Sequence, residues 1–583
     1  MPEGRSIYDK MYRLISHCDS QHRCYNGDSE PGKSGLPTRV LDISQGTSNI
    51  YLREAAGLHG RYICLSHCWG SKLPLRTTLD NLDKHQQNIP WDTFPVVYKE
   101  TILISRRLGV HYVWIDSLCI VQDSKSDWAH ESRSMCGVYA NAYLTIAATA
   151  SANCSVSMNQ PLGISPDSQS ETVLHQVGGC GSVEQHSLMS IETPIPGNCM
   201  RSSISRHGHT RTLPLQDRAW AFQEQMLSSR VIHLTGPELV WQCKREFLCD
   251  CPRQRDMTHY MDQKSGLFHQ QLEAQTKLGY SQGNNSRSIA ELWRTVVMGY
   301  TKRSLTYDAD KLPALSGMAH MFARMRPWTT YIAGAWADTT ESSTLLTDLM
   351  WYVDSHSYYN GWTTRRPPQW VAPTFSWASV RDQVNFATSP KFSLYPMDET
   401  FESGVAETHV EILEVNCQPS TEDPMGQINS GVLKVKGQAM LGTVKARKPG
   451  GVGGYTLTVG GVVFSPDSHF TQEKSFYPDV PKDAIWRQDS KGQGRGKKVD
   501  VVCVPWATIW TKRAHGHITE YRNHELVMVL HSSARNGEFN RVGLLNRRRA
   551  KGFFISQGEF DAVVAKSPSR FGDGGEVQTF TIV

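Results

Sequence analysis

The sequence lacks any apolar run long enough to cross a membrane and any marked excess of one charge sign. No stretch approaches the roughly 18 consecutive apolar residues of a spanning helix. Residues 1–12 carry Glu3, Asp9 and Lys10 where a secretory signal would be apolar. The 61 basic and 56 acidic residues leave a net charge of +5 over 583 residues, which favours no nucleic-acid partner. We therefore expect a cytosolic or nuclear protein, and predict the cytoplasm.

Paired Cys-x-x-Cys motifs are also missing from the cysteine clusters of the chain, although it has 14 cysteines. Two clusters could supply zinc ligands: Cys18, His22 and Cys24 in one, and Cys243, Cys249 and Cys251 in the other. Neither has the ligand spacing of a strong zinc site. In a reducing compartment we expect free thiols, and we predict no bound metal and no cofactor.

Apolar segments alternate with helical ones in the first half of the chain. Strands are predicted at 62–66, 110–115 and 143–147. Helices are predicted at 96–108 and from the N-cap Asp127 to about Ala140. This alternation indicates a parallel α/β sheet with flanking helices. Later helices are predicted at 289–299, 310–325 and 345–353, and alternating strands separated by Gly and Pro turns follow from about residue 405.

This pattern divides the chain into four regions. We predict an N-terminal extension at 1–59, an α/β domain at 60–243 with a long loop at 155–213, a mainly helical middle region at 244–404, and a β-rich C-terminal region at 405–583.

Three sequence blocks stand out. The first is Tyr62-Ile-Cys-Leu-Ser-His-Cys-Trp-Gly70. The second is Tyr112-Val-Trp-Ile-Asp-Ser-Leu-Cys-Ile-Val-Gln-Asp123, continuing through Trp128 and Glu131 to Ala142. The third is Arg218-Ala-Trp-Ala-Phe-Gln-Glu224. In order and spacing they resemble the signature of the heterokaryon-incompatibility (HET) domain of filamentous fungi. His67 departs from that pattern, in which Tyr is common. The resemblance implies non-self recognition and programmed cell death, through protein partners or self-association.

The carboxyl ends of parallel strands are where such sheets bind ligands. Ser66, His67 and Cys68 end the first predicted strand and Asp116 ends the second, so we expect them to face one crevice. Alternatively, Asp116 caps a turn and Ser66 satisfies loop backbone. The predicted pocket-lining residues are Ser66, His67, Cys68, Trp69, Gly70, Asp116, Cys119 and Gln122. Residues predicted to have structural roles in the blocks are Trp114, Trp128, Arg218, Trp220 and Gln223.

Glu131 is the first candidate for a catalytic residue. It lies three residues after Trp128 and four before Met135, on an apolar helix face. A carboxylate there must pair, shift its pKa or take part in chemistry. The structural alternative is an ion pair with Arg106 or Arg107.

Glu224 is the second candidate, four residues after Trp220 and three before Leu227. Its structural alternative is to hold Arg218 or Arg230.

The HET domain is in turn distantly similar to TIR domains, which share a flavodoxin-like sheet. Several TIR domains cleave the nicotinamide–ribose bond of NAD with one glutamate. By this resemblance NAD is a candidate substrate and Glu131 the corresponding carboxylate, since the reaction develops oxocarbenium character. The alternative is a non-catalytic module that signals by assembling with itself or with partners.

Overall fold

The computed structural model describes most of the chain, in segments. These are residues 7–25, 35–46, 49–71, 73–158, 213–236, 239–249, 284–338, 342–353, 366–388, 399–446, 455–464, 474–479, 498–515, 518–533, 535, 537–548 and 576–583. Contacts divide the chain into two units, Met1–Gln271 and Leu272–Val583. The predicted loop at 155–213 lies almost wholly outside the described residues. Among the described residues, no helix has both the length and the apolar character needed to cross a bilayer.

The first unit contains an eight-stranded mixed sheet. Its strands are Arg39–Asp42 (β1), Tyr51–Glu54 (β2), Tyr62–Ser66 (β3), Tyr112–Trp114 (β4), Leu144–Ala147 (β5), Arg230–Leu234 (β6), Leu239–Cys243 (β7) and Phe247–Cys249 (β8). Their order across the sheet is β2-β1-β4-β3-β5-β6-β7-β8. The predicted strands within 62–66, 110–115 and 143–147 are confirmed.

Only the centre of this sheet has the expected parallel arrangement. Strands β4, β3, β5 and β6 are parallel neighbours, whereas β1 and β2 on one side and β7 and β8 on the other pair antiparallel. The connection between β6 and β7 is short, at residues 235–238, and a parallel return needs a crossover of about a dozen residues. The first unit is therefore a mixed α/β sheet rather than a fully parallel one.

Six α-helices accompany this sheet in the described part of the unit. They are Ile7–His17 (α1), Leu82–Gln87 (α2), Val96–Arg107 (α3), Asp116–Cys119 (α4), Lys125–Ala140 (α5) and Ala219–Leu227 (α6). Ser124, not Asp127, is the N-cap of α5, because its hydroxyl accepts the Asp127 N–H at 3.3 Å. The Asp127 carboxylate instead accepts hydrogen bonds from the Arg39 guanidinium and from the N–H of Val121.

The second unit begins with helices and two small antiparallel sheets of two strands each. Its helices are Asn284–Tyr300 (α7), Pro313–Met325 (α8) and Ser342–Asp348 (α9). Its first strands are Thr329–Ile332 (β9), Ala335–Asp338 (β10), Trp351–Val353 (β11) and Val384–Phe386 (β12). The helix predicted at 345–353 is wrong beyond Asp348. The aromatic and β-branched residues of β11 pair with β12 instead.

A large sheet makes up the rest of the second unit and confirms the β-rich prediction. Its strands are Glu399–Thr408 (β13), Val410–Pro419 (β14), Ile428–Gln438 (β15), Met440–Ala446 (β16), Tyr455–Val459 (β17), Val462–Phe464 (β18), Lys474–Pro478 (β19), Lys498–His515 (β20), Ile518–Ser532 (β21), Glu538–Arg548 (β22) and Val577–Ile582 (β23). The main order is β14-β15-β23-β22-β21-β20-β16-β17-β18, with β13 also on β20 and β19 also on β22.

Alternation along β21 shows that this sheet is buried on both faces. Leu526, Met528 and Leu530 belong to one hydrophobic core, and Val527 and Val529 belong to the other. Successive side chains of a strand point to opposite faces, so one strand contributes to both cores.

Candidate functional site

The carboxyl ends of the central parallel strands bring together polar residues from separate sequence blocks. Ser66 ends β3 and lies in register with Ala147 at the end of β5, and Asp116 follows β4 by two residues. The third block adds α6 over this edge, where the Ser66 hydroxyl donates a short hydrogen bond to Oε2 of Glu224. Polar residues of the three blocks therefore gather at this edge of the sheet, where Glu224 lies beside Ser66; that they line a ligand crevice stays a prediction.

Glu224 is the most strongly perturbed carboxylate of this edge. Its side chain is buried, 5% exposed, and the Tyr139 hydroxyl from α5 also hydrogen-bonds to it. Burial raises the pKa of Glu224 to about 7, although the positive charge of Arg218 and the hydrogen bond from Ser66 favour ionisation. Desolvation penalises the charged form more than these partners stabilise it. Both protonation states of Glu224 are therefore populated near neutral pH.

A second group of polar contacts surrounds His67. Its Nε2 lies 2.9 Å from the Tyr98 hydroxyl, which is in turn 2.8 Å from the hydroxyl of Ser117. Its Nδ1 lies 3.8 Å from Oδ1 of Asp116. Burial lowers the pKa of His67 to about 4, despite the nearby Asp116 carboxylate. The imidazole is therefore neutral at physiological pH and serves as a hydrogen-bonding group, not as a cation.

Asp116 and Arg218 form the half-buried rim of this site. One Asp116 oxygen accepts the indole N–H of Trp69 at 2.9 Å, and the other accepts the N–H of Ser117 at 2.7 Å. The Arg218 guanidinium donates to the carbonyl of His67. The Asp116 carboxylate, the Trp69 indole and the Arg218 guanidinium are thus held by hydrogen bonds while each residue stays partly exposed.

Glu131 belongs to a different group of contacts. Its carboxylate is 1% exposed and lies 3.6 Å from Nη2 of Arg39, which also binds Asp127 at 2.6 Å. Burial raises the pKa of Glu131, while a hydrogen bond with Thr38 and the charge of Arg39 oppose the increase. The partner is Arg39 of β1, not the Arg106 or Arg107 considered from the sequence. Arg106 instead donates to backbone carbonyls of the β1–β2 connection.

The other predicted pocket residues divide between the rim and the core. Burial raises the pKa of Cys68 to about 11 and that of Cys119 to about 12, so both are protonated thiols. Gln122 donates to the backbone carbonyls of Asp116 and Ile120. Gly70 is exposed with a φ of +82°, and an added Cβ would lie 2.3 Å from that of Asn153. The positive φ and the close approach of Asn153 therefore both favour glycine at position 70.

The residues given structural roles occupy helices and strands around the site. Trp114 is fully buried in β4 and packs edge-on against Tyr139. Trp128 and Trp220 are half-buried, and Gln223 is buried on α6 beside Glu224.

Sequence reasoning missed four residues that this geometry makes important: Arg39, Tyr98, Ser117 and Tyr139. Ser117 and Tyr139 lie within the second block, which indicated the region but not the roles of these two residues, whereas Arg39 lies 23 residues before the first block. Tyr98 lies outside the blocks, and its only signal is its place on the buried face of α3. The contact between Tyr98 on α3 and His67 after β3 joins residues 31 positions apart, so local spacing cannot predict it.

Comparison with known families supports the sequence resemblance. Residues 62–224 match the family described as Heterokaryon incompatibility protein (HET). The chain therefore carries a HET domain, a fungal domain that implies a role in heterokaryon incompatibility and cell death. The match covers less than a third of the chain, and it begins in β3 and ends at Glu224. No match to the chain was found among curated proteins or among solved structures.

Proposed function

We propose that the HET domain of this chain triggers cell death in non-self recognition by hydrolysing the nicotinamide–ribose bond of NAD, with Glu224 as the central carboxylate. Water and NAD⁺ would give nicotinamide, ADP-ribose and a proton. The four central parallel strands, with polar residues at their carboxyl ends, support a TIR-like architecture for this domain. The protein would act in the cytoplasm and would be activated by self-association or by a protein partner.

The observation that carries the proposal is the buried Glu224 with its raised pKa. Cleavage of the glycosidic bond develops positive charge on the ribose, and a carboxylate in a poorly solvated site stabilises that charge strongly. With a pKa of about 7, Glu224 can be ionised for this role and can also accept a proton from the attacking water. Ser66 fixes the carboxylate by donating its hydroxyl proton to Oε2.

The rim residues have the chemistry that a dinucleotide requires. The Arg218 guanidinium is suited to the pyrophosphate of NAD, because guanidinium groups bind phosphate oxygens in pairs. The indole of Trp69, held by Asp116 at 2.9 Å, offers an aromatic face for a base or for the nicotinamide ring. We infer that these two side chains orient the substrate while Glu224 acts on the bond.

Glu131, the first candidate from the sequence, is better suited to a structural role. It shares Arg39 with Asp127 and so ties α5 to β1. A buried carboxylate held by an arginine is a common structural device, and breaking it leaves an unpaired charge. We therefore place Glu224 ahead of Glu131 as the reacting carboxylate.

The ion pair between Glu131 and Arg39 favours the second candidate function, a non-catalytic signalling module. In that case Glu224 would only fix α6 on β3 through Ser66. The domain would then act by assembling with itself or with partners, and its buried carboxylates would have no substrate.

The deciding experiment measures NAD consumption and nicotinamide release by the purified full-length protein at high concentration with a crowding agent. The wild type is compared with Glu224→Gln and Glu131→Gln, and the exposed Glu414→Gln of the second unit is the matched control. We expect consumption in the wild type and the control, loss in Glu224→Gln, and retention in a folded Glu131→Gln variant.

Loss of NAD consumption in the Glu131→Gln variant alone would identify Glu131, not Glu224, as the reacting carboxylate. No consumption in any sample, together with concentration-dependent assembly in analytical ultracentrifugation, would overturn the enzymatic proposal and support the signalling module.

A further inference from the structure

The N-terminal segment and the end of β7 bring three cysteines and a histidine into one cluster. Cys18 and His22 are the first and last residues of a π-helical turn. Cys24 follows Arg23, whose φ is +50° and whose N–H donates to the carbonyl of Cys18 at 2.7 Å. Cys243 arrives from β7. One ligand atom from each of the four side chains lies within 4.8 Å of the others.

These distances suit a tetrahedral metal ion. Zn–S bonds of about 2.3 Å and Zn–N bonds of about 2.0 Å place the ligand atoms of a tetrahedron roughly 3.5–3.8 Å apart. The distance from Nδ1 of His22 to Sγ of Cys243 is 3.6 Å. The three thiols are buried at 0%, 3% and 2% exposure for Cys18, Cys24 and Cys243. Small side-chain adjustments would therefore complete a closed site shielded from water.

The surroundings of the cluster match those of a metal site. The second nitrogen of His22, Nε2, lies 3.3 Å from Oε1 of Glu246, the carboxylate–histidine arrangement that orients an imidazole toward a metal. The backbone N–H groups of Arg245 and Glu246 donate to Sγ of Cys243 at 3.4 and 3.3 Å. Such donors stabilise a thiolate more than a thiol.

We propose that Cys18, His22, Cys24 and Cys243 bind a structural zinc ion. Three thiolates and one imidazole in a closed site are the ligand set of structural zinc, and soft sulfur ligands disfavour magnesium or calcium. The sequence separated these residues into two weak clusters and predicted free thiols. The fold combines Cys18, His22 and Cys24 with Cys243 of the other cluster. Cys251 and the side chain of Cys249 lie outside the described residues.

The zinc would fasten the N-terminal segment to the sheet of the first unit. The same segment already contacts β6, because Arg230 pairs with Asp19 and stacks 5.5 Å from the ring of Tyr25. A metal would add a fixed link between residues 18–24 and β7, and would constrain about 220 intervening residues in the unfolded chain. The ion would therefore have a structural role, joining residues 18–24 to the end of β7.

The test is metal content and ligand-field spectroscopy of the full-length protein, purified under reducing conditions. We expect about one zinc ion per chain by elemental analysis, and near zero in Cys18→Ser and Cys243→Ser. Cobalt replacing zinc should give the thiolate charge-transfer and intense visible bands of a tetrahedral site. His22→Cys should keep the metal and shift those bands toward an all-sulfur pattern, which shows a role in coordination even if a serine variant does not fold.

Two matched controls define the site. Cys503→Ser removes a buried cysteine of the second unit and should leave the zinc content unchanged. His17→Asn removes the histidine that lies 3.4 Å from Glu246 in the neighbouring group and should also leave it unchanged. A wild type that binds neither zinc nor cobalt would overturn the proposal. So would stoichiometric zinc in Cys18→Ser, or a disulfide among the three cysteines in the reduced protein.

Discussion

Replacing Glu224 with glutamine should change how the stability of the protein depends on pH. Glutamine has nearly the same shape, and its side-chain oxygen can still accept the hydroxyl proton of Ser66. The substitution removes only the ionisable carboxyl group, so the side chain no longer gains or loses a proton. In the wild type, the folded-state pKa of Glu224 is about 7, compared with an ordinary value of 4.5. The unfolded chain therefore loses this proton at lower pH than the folded protein does.

The sign follows directly from that difference. As the pH rises from 4.5 to 7, the folded wild type binds more protons than the unfolded chain, so its free energy of unfolding decreases. A shift of roughly 2.5 pKa units corresponds to about 3 kcal/mol lost by about pH 8. The Glu224→Gln variant has no titrating group at this position, so it does not lose this stability as the pH rises. Relative to the wild type, it should gain up to about 3 kcal/mol between pH 4.5 and pH 8.

The assay is denaturant unfolding of both proteins at several pH values between 4.5 and 8.5, with the transition of the first unit analysed. His67, whose folded pKa is lowered, acts in the opposite direction over part of this range, but it is present in both proteins and largely cancels. A difference in unfolding free energy that stays constant with pH would refute the reasoning. Infrared spectra should also show a protonated carboxyl band at pH 6 in the wild type that is absent from the variant.

Two further substitutions test the packing of the site, each with a matched control. Gly70→Ala should destabilise the first unit more than Gly46→Ala does. Both glycines have φ near +80°, worth about 1–2 kcal/mol, but only Gly70 would bring its Cβ within 2.3 Å of Asn153. Thermal unfolding checks this, and equal losses would contradict it. Arg39→Met should cost about 3–5 kcal/mol because it removes the charge partner of the buried Glu131 carboxylate, while Lys434→Met, which removes an exposed ion pair with Glu414, should cost about 1 kcal/mol or less. Similar denaturation midpoints would argue against the Arg39 cluster.

Much of the framework could be predicted from the sequence because it depends on local patterns. The apolar run Tyr62–Ser66 predicted the buried strand β3, and the periodicity of residues 96–108 predicted α3, which ends one residue earlier. The three HET blocks located the site region. The family match that ends at Glu224 agrees with the extent of those blocks.

Other features depended on which segments meet in space. Sequence spacing placed Glu131 and Glu224 on apolar helix faces and made Glu131 the first candidate. Only the fold gave Glu131 the Arg39 partner from β1 and left Glu224 buried beside Ser66 and Tyr139. Local cysteine spacing likewise showed two incomplete clusters, whereas β7 carries Cys243 to residues 18–24. Periodicity and propensity act over a few residues, so they determine elements. The charge environment of a carboxylate and the ligands of a metal depend on contacts between residues far apart in the chain, and tertiary structure alone decides those.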